Sequence, residues 1–97
     1  FLGSGEGMKV IKQIGGLLAP ITAGEIKKGC RGADVLRLIS GGVPVMHLEV
    51  DRERYFWFHH THADTMDKLD RNEFNQCVAS MAVMTYVAAD LPKTLPR

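Results

Sequence analysis

The residues best equipped for chemistry lie together in Tyr55-Phe56-Trp57-Phe58-His59-His60-Thr61-His62-Ala63-Asp64-Thr65. Three of the four histidines and four of the seven aromatic residues fall in this stretch. Imidazole is a common metal ligand, and its unperturbed pKa of roughly 6.5 also suits it to proton transfer. A core strand running into a polar loop would explain one histidine here. Three histidines and an aspartate within six residues point instead to a functional segment. On an extended chain adjacent side chains diverge, so His59 and His60 do not ligate one ion together, whereas His60 and His62 share a face. Read from the residues alone, His60-x-His62 is then a two-ligand zinc site, with Asp64 as a third, oxygen donor.

Several elements must position these groups. Val10, Ile11, Ile14, Leu17 and Leu18 recur at three- and four-residue spacing and predict a helix from Glu6 to about Leu18, ended by Ala19-Pro20. Gly15-Gly16 weakens that helix by roughly 1 kcal/mol per glycine but permits close packing. Gly24 to Gly29 reads as a short edge strand whose lysines discourage further pairing. Asp34 is placed to cap a short helix from Val35 to about Ser40, and Gly41-Gly42 terminates it. Val43 to Val50 follows as a strand with Pro44 near its start, and His47 on it reads as a core or sheet-face histidine. Tyr55 to Phe58 reads as a buried apolar run. Asp70-x-x-Glu73 has the form of a capping box for a last helix from about Arg71 to Ala89. Phe74, Cys77, Val78, Met81, Met84, Thr85 and Ala88 line one side of that helix. Helix, paired glycines and apolar strand in succession predict an α/β layered fold.

Composition narrows the function classes. Ninety-seven residues form at most one small domain, with 45% hydrophobic and 24% charged residues, in the ordinary globular range. The net charge is +1 with both signs interspersed, so no basic face argues for nucleic acid. No apolar run reaches the roughly 18 residues of a membrane-spanning helix. Cys30 and Cys77 are too few and too far apart for a disulfide framework or a C-x-x-C metal site, and Cys77 reads as a small buried hydrophobe. Asp64, Asp67, Asp70 and Glu73 recur every three residues but lack the glycine and acid spacing of a calcium loop. The chain begins at Phe1, without an initiator methionine or a visible signal peptide. That start fits a processed chain or a fragment.

His60-Thr61-x-x-Asp64-Thr65 resembles the His-Thr-x-x-Asp-Thr motif of the co-catalytic dizinc exopeptidases, aminopeptidases and carboxypeptidases with an α/β/α sandwich fold. The doubled histidine after an aromatic run, and the later Val83-Met84-Thr85-Tyr86-Val87-Ala88-Ala89-Asp90, resemble that family's carboxypeptidase Q branch. The similarity runs from Phe1-Leu2-Gly3-Ser4 to Leu95-Pro96-Arg97. It implies that residues 1–97 are the C-terminal part of a catalytic domain, the C-terminal portion of an α/β/α sandwich. It selects His60 alone as a zinc ligand and leaves His62 at a variable position. Asp64 matches the second motif position, where a carboxylate would orient the metal-binding segment through hydrogen bonds. The same aspartate could instead cap a turn. Thr61 and Thr65 would fix the loop through hydroxyl-to-backbone bonds.

His59 stands where several aminopeptidases of the family have tyrosine, a donor to the tetrahedral intermediate. An imidazole N–H can serve the same purpose at a developing oxyanion. A buried, hydrogen-bonded histidine is the alternative. Asp34 matches an aspartate that the family places near the substrate pocket. The family's remaining machinery comprises a histidine, a bridging aspartate, a general-base glutamate, a glutamate ligand and a further aspartate. All of these lie upstream of the matched region, so none is assigned here.

The expected cofactor is therefore zinc, two ions in the full-length parent. The expected partners are a short peptide substrate, the remainder of the catalytic domain and, in a homodimer, a second copy of the chain. Neither nucleic acid nor membrane is expected. A secreted or periplasmic location follows from the resemblance alone. The 97-residue chain by itself should be inactive. Two other classes compete: a stand-alone metal-binding module built on His60, His62 and Asp64, and a non-catalytic interaction domain whose histidines bind no metal.

Overall fold

Ser4 starts the first helix by accepting a hydrogen bond from the Gly7 amide at 3.0 Å, so one of the helix's unpaired amide donors is satisfied. In the computed structural model, which describes residues 1–97, this helix, α1, spans Gly5–Gly15 and continues as a 3-10 turn through Gly16–Ile21. Short helices follow at Leu36–Ser40 (α2) and Tyr55–Phe58 (α3), and the long helix α4 covers Arg71–Ala89. At the start of α4 the Asp70 carboxylate accepts from the amides of Asn72 and Glu73, both at 2.9 Å. That is the carboxylate half of the expected capping box; the Glu73 side chain makes no return bond. Gly41 caps α2, and Gly42 follows with φ of 70°, in the left-handed region that favours glycine.

α1 packs against α4, and the core lies between them. Ile11, Ile14 and Leu18 from the first helical segment meet Met84 of α4 and the ring of Phe1. Ile11 is completely buried, and burial of such a side chain stabilises by about 1.5–3 kcal/mol. Gly15 and Gly24 allow the segment after the 3-10 turn to pass close to α1. A methyl group on Gly24 would lie 2.6 Å from the Gly15 carbonyl oxygen, and one on Gly15 would lie 2.9 Å from the Gly24 oxygen. The two ends of the chain are joined by the Ser4 hydroxyl, which donates to the Pro96 carbonyl at 2.9 Å.

The expected layered sheet is not displayed within these residues. Leu2 and Val45 form a single antiparallel bridge, and no strand extends from it. The Phe1 amino group donates to the carbonyls of Lys27 and Gly29, and the Gly29 amide donates back to Phe1, all at 2.8 Å. The predicted strands at 24–29 and 43–50 therefore correct to irregular segments, tied to the first two residues only through Lys27 and Gly29 in one and Val45 in the other. The amides of residues 24–28 and 46–50 donate no hydrogen bond inside the chain. The physical reason is simple: a strand is defined by its neighbour, and these segments lack one over most of their length.

Other expectations shift as well. Tyr55 to Phe58 is one turn of exposed helix, with Phe56 at 75% and Trp57 at 65% of full exposure. Asp34 lies in a 3-10 turn, Ala33–Val35, and its carboxylate caps nothing. Cys77 is half-buried rather than buried, and both cysteines are free. Of the apolar residues expected to line one side of α4, Met84 is buried while Phe74, Val78 and Met81 are exposed. His47 is half-buried and engaged: its Nδ1 accepts from the Arg31 amide at 3.2 Å, and its Nε2 lies 2.8 Å from Glu49. That contact, followed by the nearby Arg52 guanidinium, holds the Glu49 carboxyl below the usual carboxylate range.

Only nine of 97 residues are buried, and the accessible surface is 7735 Å², against about 5,500 Å² expected of a compact monomer of this size. The radius of gyration, 14.9 Å, likewise exceeds the roughly 13 Å of a compact domain. Leu17, Leu36, Phe56, Trp57 and Met66 are among the large apolar residues that face outward. No helix is long and apolar enough to cross a membrane.

Candidate functional site

The turn of helix α3 determines how the histidines are presented. The His59 amide donates to the Tyr55 carbonyl at 3.0 Å, closing the turn. The chain then reverses at His60, whose φ of 59° places a non-glycine residue in the left-handed region. Histidine tolerates this conformation better than most residues, yet such a backbone still costs on the order of 1 kcal/mol. Strained positions of this kind concentrate where a side chain must be aimed.

Two threonines hold the loop. Thr61 Oγ1 donates to the Phe58 carbonyl at 2.7 Å and accepts from the Ala63 amide at 3.2 Å. Backbone bonds from Thr61 to Phe58 (2.9 Å) and from Asp64 to Thr61 (3.1 Å) complete the turn. Thr65 Oγ1 lies 3.3 Å from the Ala63 carbonyl and also contacts the Asp67 carboxylate. Asp67 is held below the usual carboxylate range, first by Lys68 and then by that threonine. The bracing expected of Thr61 and Thr65 is thus present.

His59 and His60 are brought together, their ring centroids 3.9 Å apart with the planes tilted by 58°. His60 is exposed and makes no side-chain hydrogen bond, so its imidazole is open to an external group. His59 is half-buried and contacts Tyr55, with the hydroxyl 3.1 Å from Nε2. His59 and Asp64 both line a cavity of about 300 Å³ between α3 and the start of α4. The Asp64 carboxylate is exposed and has no hydrogen-bond or ion-pair partner in the chain. His60 does not line that cavity, and Asp34 lines neither it nor the cavity of about 600 Å³ beside Ile11, His47 and Met84.

His60, His62 and Asp64 do not assemble into a metal centre. No three histidine, cysteine, aspartate or glutamate side chains lie where they could hold an ion together. The shared face expected of His60 and His62 required an extended chain, and the left-handed turn at His60 removes it. What the loop offers is two exposed imidazoles, His60 and His62, neither of which is hydrogen-bonded through its ring within the chain. Tyr55 is the residue that reading the sequence missed at this site. Its signal was the four-residue spacing to His59, which brings side chains together on a helix but not on an extended chain.

No protein-family model matches this sequence, and no solved structure matches it. Among curated proteins it is similar along all 97 residues to carboxypeptidase Q of Rattus norvegicus at 37% identity. Carboxypeptidase Q of Bos taurus is 39% identical and that of Homo sapiens 36%, again over the whole chain. In each case the chain spans 21% of the relative's length, about a fifth. The resemblance read from the histidine motif thus extends from the first residue to the last.

Proposed function

We propose that this chain is the C-terminal part of the catalytic domain of a zinc-dependent exopeptidase of the carboxypeptidase Q kind, one that hydrolyses short peptides from a chain end. The observation that carries this reading is the similarity to carboxypeptidase Q over all 97 residues. The exposed histidine loop with its braced turn is consistent with it. In the parent, the segments around Val45 and Gly29 would gain neighbouring strands and become part of an α/β/α sandwich. The surface left open here would be covered by the rest of that domain, and a second copy of the chain would complete a homodimer. A secreted or periplasmic location belongs to the same reading.

Each site residue then has a role. His60 holds one of two zinc ions through its unencumbered imidazole. Zinc, when bound, supplies polarisation of the scissile carbonyl and a lowered pKa for water. His59 donates a ring N–H to the oxygen on which negative charge develops, an interaction strongest in the transition state. Asp64 orients the histidine segment through groups contributed by the rest of the domain. Asp34, exposed on its 3-10 turn, faces the substrate.

The test is zinc content and peptidase turnover of the full-length parent with and without His60→Ala. Loss of both supports the reading. A His60→Ala enzyme with full zinc occupancy and normal turnover removes it.

A further inference from the structure

Helix α3 puts Tyr55 and His59 one turn apart, on the same face. Their rings are close to parallel, 27° between planes and 4.3 Å between centroids. The hydroxyl of Tyr55 reaches the Nε2 end of the imidazole at 3.1 Å. Phe56 meets Tyr55 edge-on at 5.0 Å and His59 edge-on at 6.4 Å. The His60 ring lies 3.9 Å from that of His59, tilted by 58°. The His59 ring is therefore surrounded by three aromatic neighbours, one of which carries a polar group directed at a single ring nitrogen.

We infer that Tyr55 is a positioning residue for His59: stacking fixes the plane of the imidazole, and the hydroxyl occupies Nε2 so that Nδ1–H is the donor left for substrate. The inference rests on the proposed role of His59 at the oxyanion. A phenol oxygen both donates and accepts: with the Tyr55 O–H as donor, Nε2 is the acceptor and the ring proton sits on Nδ1, whereas the reverse direction would leave Nδ1 an acceptor. A second effect is entropic. A half-buried histidine without such a neighbour retains rotamer freedom, and a donor must be held near its productive geometry to act in the transition state. Tyr55 touches no reacting atom in this arrangement and acts only through His59.

The experiment compares Tyr55→Phe, Tyr55→Leu, His59→Ala and the double variant Tyr55→Phe/His59→Ala in the full-length parent. kcat, KM, zinc content and the ¹⁵N resonances of labelled histidine are measured for each. His59→Ala should lower kcat about 100- to 1,000-fold. Tyr55→Phe keeps the stacked ring and loses only the hydroxyl, so kcat should fall roughly 3- to 10-fold, the range of one net hydrogen bond. KM and zinc should stay unchanged. Tyr55→Leu, which also loses the stacking, should fall further. The double variant should be no slower than His59→Ala. The His59 nitrogens should report Nδ1 protonated in the parent and a tautomer mixture in Tyr55→Phe.

Unchanged kcat and unchanged ¹⁵N resonances in Tyr55→Phe overturn the inference while leaving the His59 reading in place. So does a double variant slower than His59→Ala by the full Tyr55→Phe factor. Normal turnover in His59→Ala removes the oxyanion reading instead. The nitrogen resonances then still decide whether Tyr55 positions the ring.

Discussion

Leu2 and Val45 exchange both backbone hydrogen bonds, at 2.8 and 2.9 Å, and no neighbouring pair continues the ladder. Beside them, the amides of residues 46–50 have no acceptor in the chain. Unpaired edges of this kind template pairing with another chain, and exposed Phe56, Trp57, Met66 and Leu69 add apolar surface. The 97-residue chain should therefore self-associate and bind hydrophobic dye. Sedimentation velocity and dye fluorescence check this; a cooperatively melting monomer without dye binding would contradict it.

The same 97 residues should show no peptidase activity with added zinc, because no three potential ligands converge. Aminopeptidase, dipeptidase and carboxypeptidase assays on the purified chain provide the measurement. Turnover that copurifies with the chain and disappears on His60→Ala would show that these residues hold a complete centre.

The three clustered histidines should separate in the full-length parent. His60→Ala is expected to lose zinc and nearly all turnover. His59→Ala should keep its zinc and lose about 2.7–4 kcal/mol of transition-state stabilisation. His62→Ala should change least. Metal analysis beside kcat distinguishes the variants, and loss of zinc from His62→Ala rather than His60→Ala would mean that the motif is misregistered.

Glu49 makes stability depend on pH in a predictable direction. Its folded-state pKa is depressed, first by the His47 contact and then by Arg52. A depressed carboxyl pKa contributes stability that is present above the unfolded-state value of roughly 4.3 and is lost as pH falls through the lower folded value. Urea denaturation at a series of acidic pH values should show Glu49→Gln with a smaller acid-induced loss than the parent sequence. Parallel curves would show that the contact does not contribute.

Two glycines should respond oppositely to a methyl group. Gly24→Ala drives its Cβ to 2.6 Å from the Gly15 oxygen, and relief of such overpacking costs about 1–3 kcal/mol. Gly16, with φ of −55° and open space around it, should accept alanine and gain about 0.4–1 kcal/mol. Thermal melts of the two variants measure the difference, and equal effects would rule out the Gly15–Gly24 contact.

What the sequence made legible were features decided locally. The spacing of Val10, Ile11 and Ile14 marks a helix that forms, and Asp70 caps α4 through its own side chain. Gly42 takes the positive φ that its position after α2 requires. The strands were not legible in the same way, because 24–29 and 43–50 acquire strand character only from residues beside them in space. Tyr55 to Phe58 shows the limit of composition: four apolar residues suit a buried strand or a helical turn equally. That ambiguity concealed the Tyr55–His59 contact. His60 was singled out from its motif, whereas its left-handed backbone has only a weak signature in residue type.

Every hydrogen bond made by residues 51–69 joins partners no more than four positions apart. Closing such short loops costs little chain entropy, and the cost rises only slowly with loop length. The shape that presents His60 is therefore of low contact order, while the core joining Phe1 and Ile11 to Met84 is of high contact order. During folding, the histidine loop can form early and repeatedly, before the distant core contacts close. Core mutations should accordingly slow assembly of the domain without altering the geometry in which this loop arrives.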